Sequence, residues 1–151
     1  MAKSAHQIRI DSNPAEYDRL FDRQTGLARW PLLVDRTTVA LARAMRCERV
    51  VAVFVIENPR AFDGTVPDLA DLADQLRASV RPDDTVARAA PRTFVIVCND
   101  IAADQDAAAV ARRLVHGAGV LCQLGVALGG PGDTAGSLLE RALREADQGL
   151  S

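Results

Sequence analysis

The side chains that most often act as nucleophiles, metal ligands or proton carriers are few in this sequence and widely spaced. His6 and His116 stand apart from any carboxylate or cysteine at ligand spacing, so neither reads as part of a metal site. Cys47, Cys98 and Cys122 form no CxxC pair, and three scattered thiols fit small apolar residues in a reducing, cytoplasmic setting. No local arrangement of Ser, His and Asp, or of Cys and His, marks nucleophilic catalysis. Gly129-Gly130-Pro131-Gly132 lies between a strand-like and a helix-like run, the setting of a phosphate loop. It lacks the Gly-Lys-Ser/Thr ending, so it reads as a plain connection. Glu57, Asp63 and Asp68 could gather into an acidic cluster, but solvated caps account for them more simply. Arg-x-x-Asp occurs as Arg19/Asp22, Arg60/Asp63, Arg81/Asp84 and Arg144/Asp147, so the pattern by itself selects none of them.

The elements that must position these groups can be read from periodicity and breakers. Ser12-Asn13-Pro14 is a helix start, and the helix it opens carries Tyr17, Leu20 and Phe21 on one face and stops near Gly26. Pro31 restarts a helix with Leu33, Val34, Thr37, Ala40, Leu41 and Ala44 in one stripe, and Trp30 beside it reads as a packing anchor. Val50 to Ile56 is continuously apolar and rich in β-branched residues, as a strand buried on both faces would be, and Asn58-Pro59 ends it. Pro67 begins a helix through Leu69, Leu72, Ala73, Leu76 and Val80. Strands 85–89 and 93–98 flank a tight hairpin at Pro91-Arg92, and a helix over about 103–116 and a strand over 119–128 follow. Asp133 or Thr134 caps a last helix with Leu138, Leu139, Ala142 and Leu143 inward. The hairpin demands antiparallel pairing. The expected fold is therefore α+β, a mixed or antiparallel central sheet flanked by helices, and not a doubly wound nucleotide fold.

Length and charge bound what such a domain does. The 151 residues suffice for one domain with a real core, and 48% hydrophobic content excludes disorder. Net charge is −2, Lys3 is the only lysine, and no run of like charges occurs, so neither nucleic acid nor a membrane surface is an expected partner. The longest apolar stretch is too short to cross a bilayer, and no continuous apolar segment follows Met1-Ala2-Lys3-Ser4 to suggest a secretory leader.

Set in order, several short segments resemble one family. Asp22-Arg23-Gln24-Thr25-Gly26-Leu27 resembles the Asp-x-Leu-Thr-Gly-Leu turn that opens diguanylate cyclase (GGDEF) domains. Asp84-Thr85-Val86-Ala87-Arg88 resembles the strand before that family's signature hairpin, and Phe94-Val95-Ile96-Val97 the strand after it. Leu124-Gly125-Val126-Ala127 is similar to its Ser-Ile-Gly-Val-Ala strand, and Leu138-Leu139 through Ala146-Asp147 to its last helix. The likeness spans about residues 14 to 150, which sets residues 1–13 apart as a tail and 14–151 as a degenerate GGDEF-like domain. It implies the ferredoxin-like palm of nucleotide cyclases.

In that family two GTP-loaded domains face each other and form cyclic di-GMP, with metal ions held by carboxylates from the first strand and the Gly-Gly-Asp/Glu-Glu-Phe turn. Carried over residue by residue, the resemblance puts Val55 at the metal-binding aspartate, Glu57 at the second acidic place, and Arg60 near the phosphate-side lysine. Ala90 and Pro91 replace the glycines, Arg92 the first acid and Thr93 the second, while Phe94 survives. The segment between Arg60 and Leu69 is shorter than the family's guanine-reading one. The expectation is a catalytically inactive regulatory module, with no cofactor or metal, acting through an unknown protein partner or as a homodimer. The alternative is a cyclic di-GMP receptor: Arg81 and Asp84 stand where the family's Arg-x-x-Asp product site lies, with Arg113 as a second arginine. An Arg and Asp around a helix end also serve as dipole partner and turn former. An active diguanylate cyclase is the remaining and least supported reading.

Overall fold

The structure, a computed structural model, describes residues 14–57, 69–102, 104–118 and 122–148. Its centre is β1 (Val50–Glu57), apolar at every position but the last. Alternation sends Val51, Val53 and Val55 to one side of the sheet and Ala52, Phe54 and Ile56 to the other, and all six are fully buried. A strand apolar on both faces needs cover on both. On one face α2 (Trp30–Cys47) contributes Leu33, Ala40, Leu41 and Ala44, and α5 (Ala135–Gln148) contributes Leu138, Leu139 and Ala142. On the other, α3 (Leu69–Ala78) packs Leu72, Ala73 and Leu76, and α4 (Asp104–Ala118) packs Ala107, Val110 and Leu114.

β2 (Thr85–Ala90), β3 (Thr93–Ile101) and β4 (Gln123–Gly129) complete a four-stranded sheet in the order β2-β3-β1-β4. All three pairings are antiparallel, as the α+β expectation allowed, and the two crossovers through α3 and α4 interleave as in a ferredoxin-like palm. The parallel component is one isolated bridge: Ala28 lies beside Ala87, its N–H donating to Val86 and its carbonyl accepting from Arg88. This short contact covers the outer edge of β2.

Local chemistry explains where the elements end. α1 (Pro14–Leu20) stops six residues before Gly26, earlier than its apolar spacing predicts. The Asp22 carboxylate accepts from the Thr25 N–H at 3.0 Å and the Thr25 hydroxyl at 2.7 Å, which turns the chain into a tight loop. Gly26, at φ +73°, supplies the left-handed residue this loop requires. α2 ends on Glu48 in the left-handed conformation, with the N–H groups of Glu48 and Arg49 both returning to the Ala44 carbonyl. Thr134 caps α5: its hydroxyl accepts the Ser137 N–H, and the Ser137 hydroxyl accepts the Thr134 N–H. At Gly125 a Cβ would lie 2.3 Å from the Ala146 nitrogen, so glycine is what lets α5 lie flat on β4. β3 runs to Ile101 past a bulge whose Asp100 has φ 61°. β4 begins at Gln123; the expected strand residues 119–121, the helix start at Pro67 and the strand stop at Asn58-Pro59 lie outside the described residues.

Candidate functional site

The two ends of this sheet carry the two sets of expected site residues. At one end β1 finishes at Glu57, directly opposite Thr93 on β3 and Gln123 on β4, so three polar side chains share one face. The Thr93 hydroxyl donates to Glu57 Oε1 at 2.7 Å. Gln123 Oε1 is buried and accepts no hydrogen bond. Two residues earlier on the same face, Val55 is fully buried between Val95 and Gly125. Phe94 turns the other way, into the core with Phe54 and Ile96.

The hairpin itself is exposed at Ala90, Pro91 and Arg92. Ala90 pairs with Thr93, and neither loop residue takes a positive φ. Two-residue hairpins normally use positive φ to match strand twist, which proline forbids; the irregularity between Arg88 and Ala90 absorbs the mismatch. The turn is held from behind by Arg88, whose side chain is only 8% exposed. Its Nε and Nη2 donate to the Pro91 carbonyl at 3.1 and 2.7 Å, and its Nη1 reaches Asp22 Oδ2 at 3.2 Å and Gln24 Oε1 at 2.6 Å. One guanidinium thus ties the hairpin to the loop after α1. No feature of the sequence short of that contact across more than sixty residues marks Arg88 as the clamp.

A pair of divalent cations needs several converging carboxylates. Among the described residues this sheet end offers Glu57 alone, already engaged by Thr93, with a buried valine where the resemblance requires an aspartate. Among the described residues no group of three or more His, Cys, Asp or Glu could hold a metal ion. The donor set does not fit the family's metals.

At the opposite end, the turn between α3 and β2 brings Arg81, Asp84 and Arg113 onto one cavity of about 390 Å³. Asp84 is also a turn former: its Oδ2 accepts the Arg81 N–H at 3.0 Å and its Oδ1 the Asn99 N–H at 2.9 Å. Arg113 Nε donates to the Ser79 carbonyl at 3.3 Å, and the side chain lines the cavity. Sequence reasoning missed Asn99, which lines the same cavity, gives Nδ2 to the Asp83 carbonyl and keeps Oδ1 buried without a partner. Its place depends on the register of β3 against β2, for which no local signal exists. Cys98, also on the cavity wall, is buried, and burial together with the Asp84 carboxylate pushes its thiol far above the usual range despite Arg113 and Arg81 nearby. That thiol is inert as a nucleophile.

The remaining candidates settle quickly. His116 is exposed on α4, while His6, Arg60, Asp63 and Asp68 lie outside the described residues. Trp30 is 39% exposed and so anchors less than expected. In the glycine loop, the Gly130 N–H donates to Asp133 at 2.9 Å, and Arg141 joins Asp133 to the Leu128 carbonyl, closing the loop on itself. These bonds hold the Asp133 carboxyl down at about 2, Arg141 being the main cause.

Neither a family model nor a curated protein matches this sequence. Solved structures do, and over most of the chain. The GGDEF domain of TpbB (YfiN) from Pseudomonas aeruginosa is 22% identical, covers 85% of this chain and 87% of its own, and superposes with a TM-score of 0.75. The diguanylate cyclase SiaD of Pseudomonas aeruginosa, in complex with its activator SiaC, is 18% identical over 99% of this chain and 65% of its own, at 0.75. The coiled coil and GGDEF domain of DgcB from Caulobacter crescentus, in complex with c-di-GMP, is 17% identical over 95% and 86%, at 0.72. The fold is that of GGDEF diguanylate cyclase domains, which bears out the resemblance read from the sequence. Among the described residues no helix is long and apolar enough to cross a membrane.

Proposed function

We propose that this chain is a non-catalytic GGDEF-fold module that regulates by binding another protein or a second copy of itself, in the cytoplasm. One observation carries the reading: where cyclase chemistry needs converging carboxylates, Val55 is buried in the core and Glu57, the one carboxylate there among the described residues, is hydrogen-bonded to Thr93. Arg92 adds a cation to the turn expected to face the triphosphate, and Pro91 removes an amide donor there. The fold, by contrast, is intact, and SiaD shows a GGDEF-fold protein held in complex with a protein activator. Incubating the chain with GTP and magnesium or manganese, beside an active cyclase as control, should give no cyclic product; any turnover removes the reading. Light scattering after size exclusion and a pull-down then test self-association and partner binding.

A second reading has its own observation, the convergence of Arg81, Asp84 and Arg113 on one cavity. It makes the chain a cyclic di-GMP receptor, as DgcB binds that nucleotide. The arginine forks would take guanine or phosphate edges, and Asp84, with both oxygens already engaged, would accept from guanine only through its remaining lone pairs. Calorimetry at protein concentrations near 0.1 mM separates the two: absence of heat excludes a useful micromolar site. Heat that disappears in Arg81→Ala supports the receptor.

A further inference from the structure

The exposed face of α2 stands apart from every other helical surface described. Its sequence holds Arg36, Arg43 and Arg46 against a single Asp35, whereas the other helices are neutral or acidic by their Asp, Glu and Arg content, in a chain of net charge −2. Most arginines elsewhere are engaged by carboxylates or carbonyls, but these three side chains make no ion pair among the described residues. Among the described residues the same helix carries all the large apolar side chains left exposed: Trp30 at 39%, Val39 at 56% and Met45 at 65%.

Spacing turns these residues into a surface. Arg36, Val39, Arg43 and Arg46 follow steps of three and four, so they form one stripe along the helix, with an apolar residue set among cations. Beside the stripe runs a groove of about 200 Å³ between α2 and the entry to β2, lined by Arg36, Val39 and Arg43 on one side and Asp83 and Asn99 on the other. Arg36 also borders the next cavity, about 240 Å³, where apolar side chains such as Phe21 and Leu32 stand beside Arg77, Arg81 and Asp84, so the groove continues into a pocket of mixed character.

We propose that this groove docks an acidic, partly apolar segment of a partner protein, laid along α2 with its carboxylates on Arg36 and Arg43 and an apolar side chain against Val39. The inference rests on the regulatory reading above and names the chemistry of the partner. Seven residues of helix separate Arg36 from Arg43, roughly 10 Å of rise. Three residues of polyproline II chain rise about 9 Å and bring i and i+3 to the same face, so the matching ligand pattern is acid-x-x-acid on a segment in that conformation. Guanidinium forks favour such planar carboxylates. Asp83 repels an anion entering from the β2 side and so aligns the segment with α2. Nucleic acid fits less well: three arginines around an apolar centre make a small footprint without the long cationic track a phosphate backbone requires.

The test is selection of a displayed random-peptide library on the full chain, followed by titration of the enriched peptides against wild type, Arg36→Glu/Arg43→Glu and Arg112→Glu. Arg112 is an exposed arginine on α4, remote from the groove in sequence and element. Enriched peptides should carry paired acids with an intervening apolar residue, bind wild type and Arg112→Glu alike, and lose roughly tenfold or more in affinity for the double variant. Four outcomes overturn the proposal: nothing enriched, peptides without acidic bias, equal binding to the double variant, or equal displacement by a thymidine oligonucleotide. None of these touches the absence of cyclase activity, so the docking inference can fail while the regulatory reading stands. GTP turnover would do the reverse.

Discussion

The two ends of the central sheet use arginine in opposite ways. At the hairpin end Arg88 is nearly buried and spends its donors on Pro91, Asp22 and Gln24, while Thr93 occupies Glu57. Arg88 and Glu57 there are spent on internal partners, and the hairpin is held without glycine. At the other end Arg81 and Arg113 border an open cavity, and the carboxylate between them is engaged by backbone N–H groups instead of by guanidinium. Internal pairing closes a site, whereas cations held apart from their acid leave room for an anionic ligand. The same fold therefore presents one end whose arginine is spent internally and one whose arginines border an open cavity.

The sharpest way to break this contrast is to put the acid back. Val55→Asp places a carboxylate at a fully buried position among Val95, Gly125 and the α5 helix, within an apolar cluster of described residues. It should cost about 4 kcal/mol in urea-induced unfolding and yield no cyclase activity. A stable, metal-binding Val55→Asp protein would mean that the hairpin end is an open site after all. Arg88→Ala should come next, at about 3 kcal/mol, because it takes both guanidinium donors from the Pro91 carbonyl and the nearly buried cation from Asp22, which keeps only its Thr25 donors. Stability near wild type would show that the clamp is ornamental. Thr93→Val, which removes one hydroxyl beside Glu57, should cost about 1 kcal/mol by the same measurement.

How much of this contrast could be read from the chain itself follows from the range of the interactions. The stripe of α2, the doubly buried β1 and the hairpin at Pro91-Arg92 rest on local periodicity and backbone chemistry, and they stand as expected. The grouping of Arg81, Asp84 and Arg113 was legible only through family resemblance, since a residue on α4 meets a turn before β2 by folding alone. Asn99 and the Arg88 clamp were not legible, because strand register and a loop more than sixty residues away create them. The early end of α1 was missed for a smaller reason: the Asp22 side chain competes with the helix, and apolar spacing does not register that competition.

Acid titration sharpens the picture of the binding end, where the loop after β4 is also pinned by an ion pair. The Asp133 carboxyl is lowered to about 2 by Arg141 and the Gly130 N–H, from 3.8 as its ordinary value. A depressed folded value means that the unfolded chain binds the proton first, so this clasp stabilises fully above about pH 4 and is lost as pH falls toward 2. Because Arg141 is 40% exposed, solvent screening limits the contribution to roughly 1 kcal/mol. Asp133→Asn should remove that part of the acid sensitivity while leaving the hairpin end untouched. An unchanged pH profile between 4 and 2 would show that the loop is held by its hydroxyl and backbone bonds alone.

The smallest effect on stability is expected at Arg81, and its smallness is informative. Arg81 contributes its backbone N–H to Asp84, and alanine keeps that bond. Arg81→Ala should therefore change unfolding free energy by no more than about 0.5 kcal/mol, within the range of surface substitutions. If cyclic di-GMP binds, the same substitution should abolish the calorimetric heat, dissociating stability from binding at this end, whereas Arg88→Ala acts on stability alone at the other. A large destabilisation by Arg81→Ala would make its guanidinium a structural clamp like that of Arg88. The two ends of the sheet would then differ only in which turn their arginine holds, and the cavity would lose its standing as a binding site.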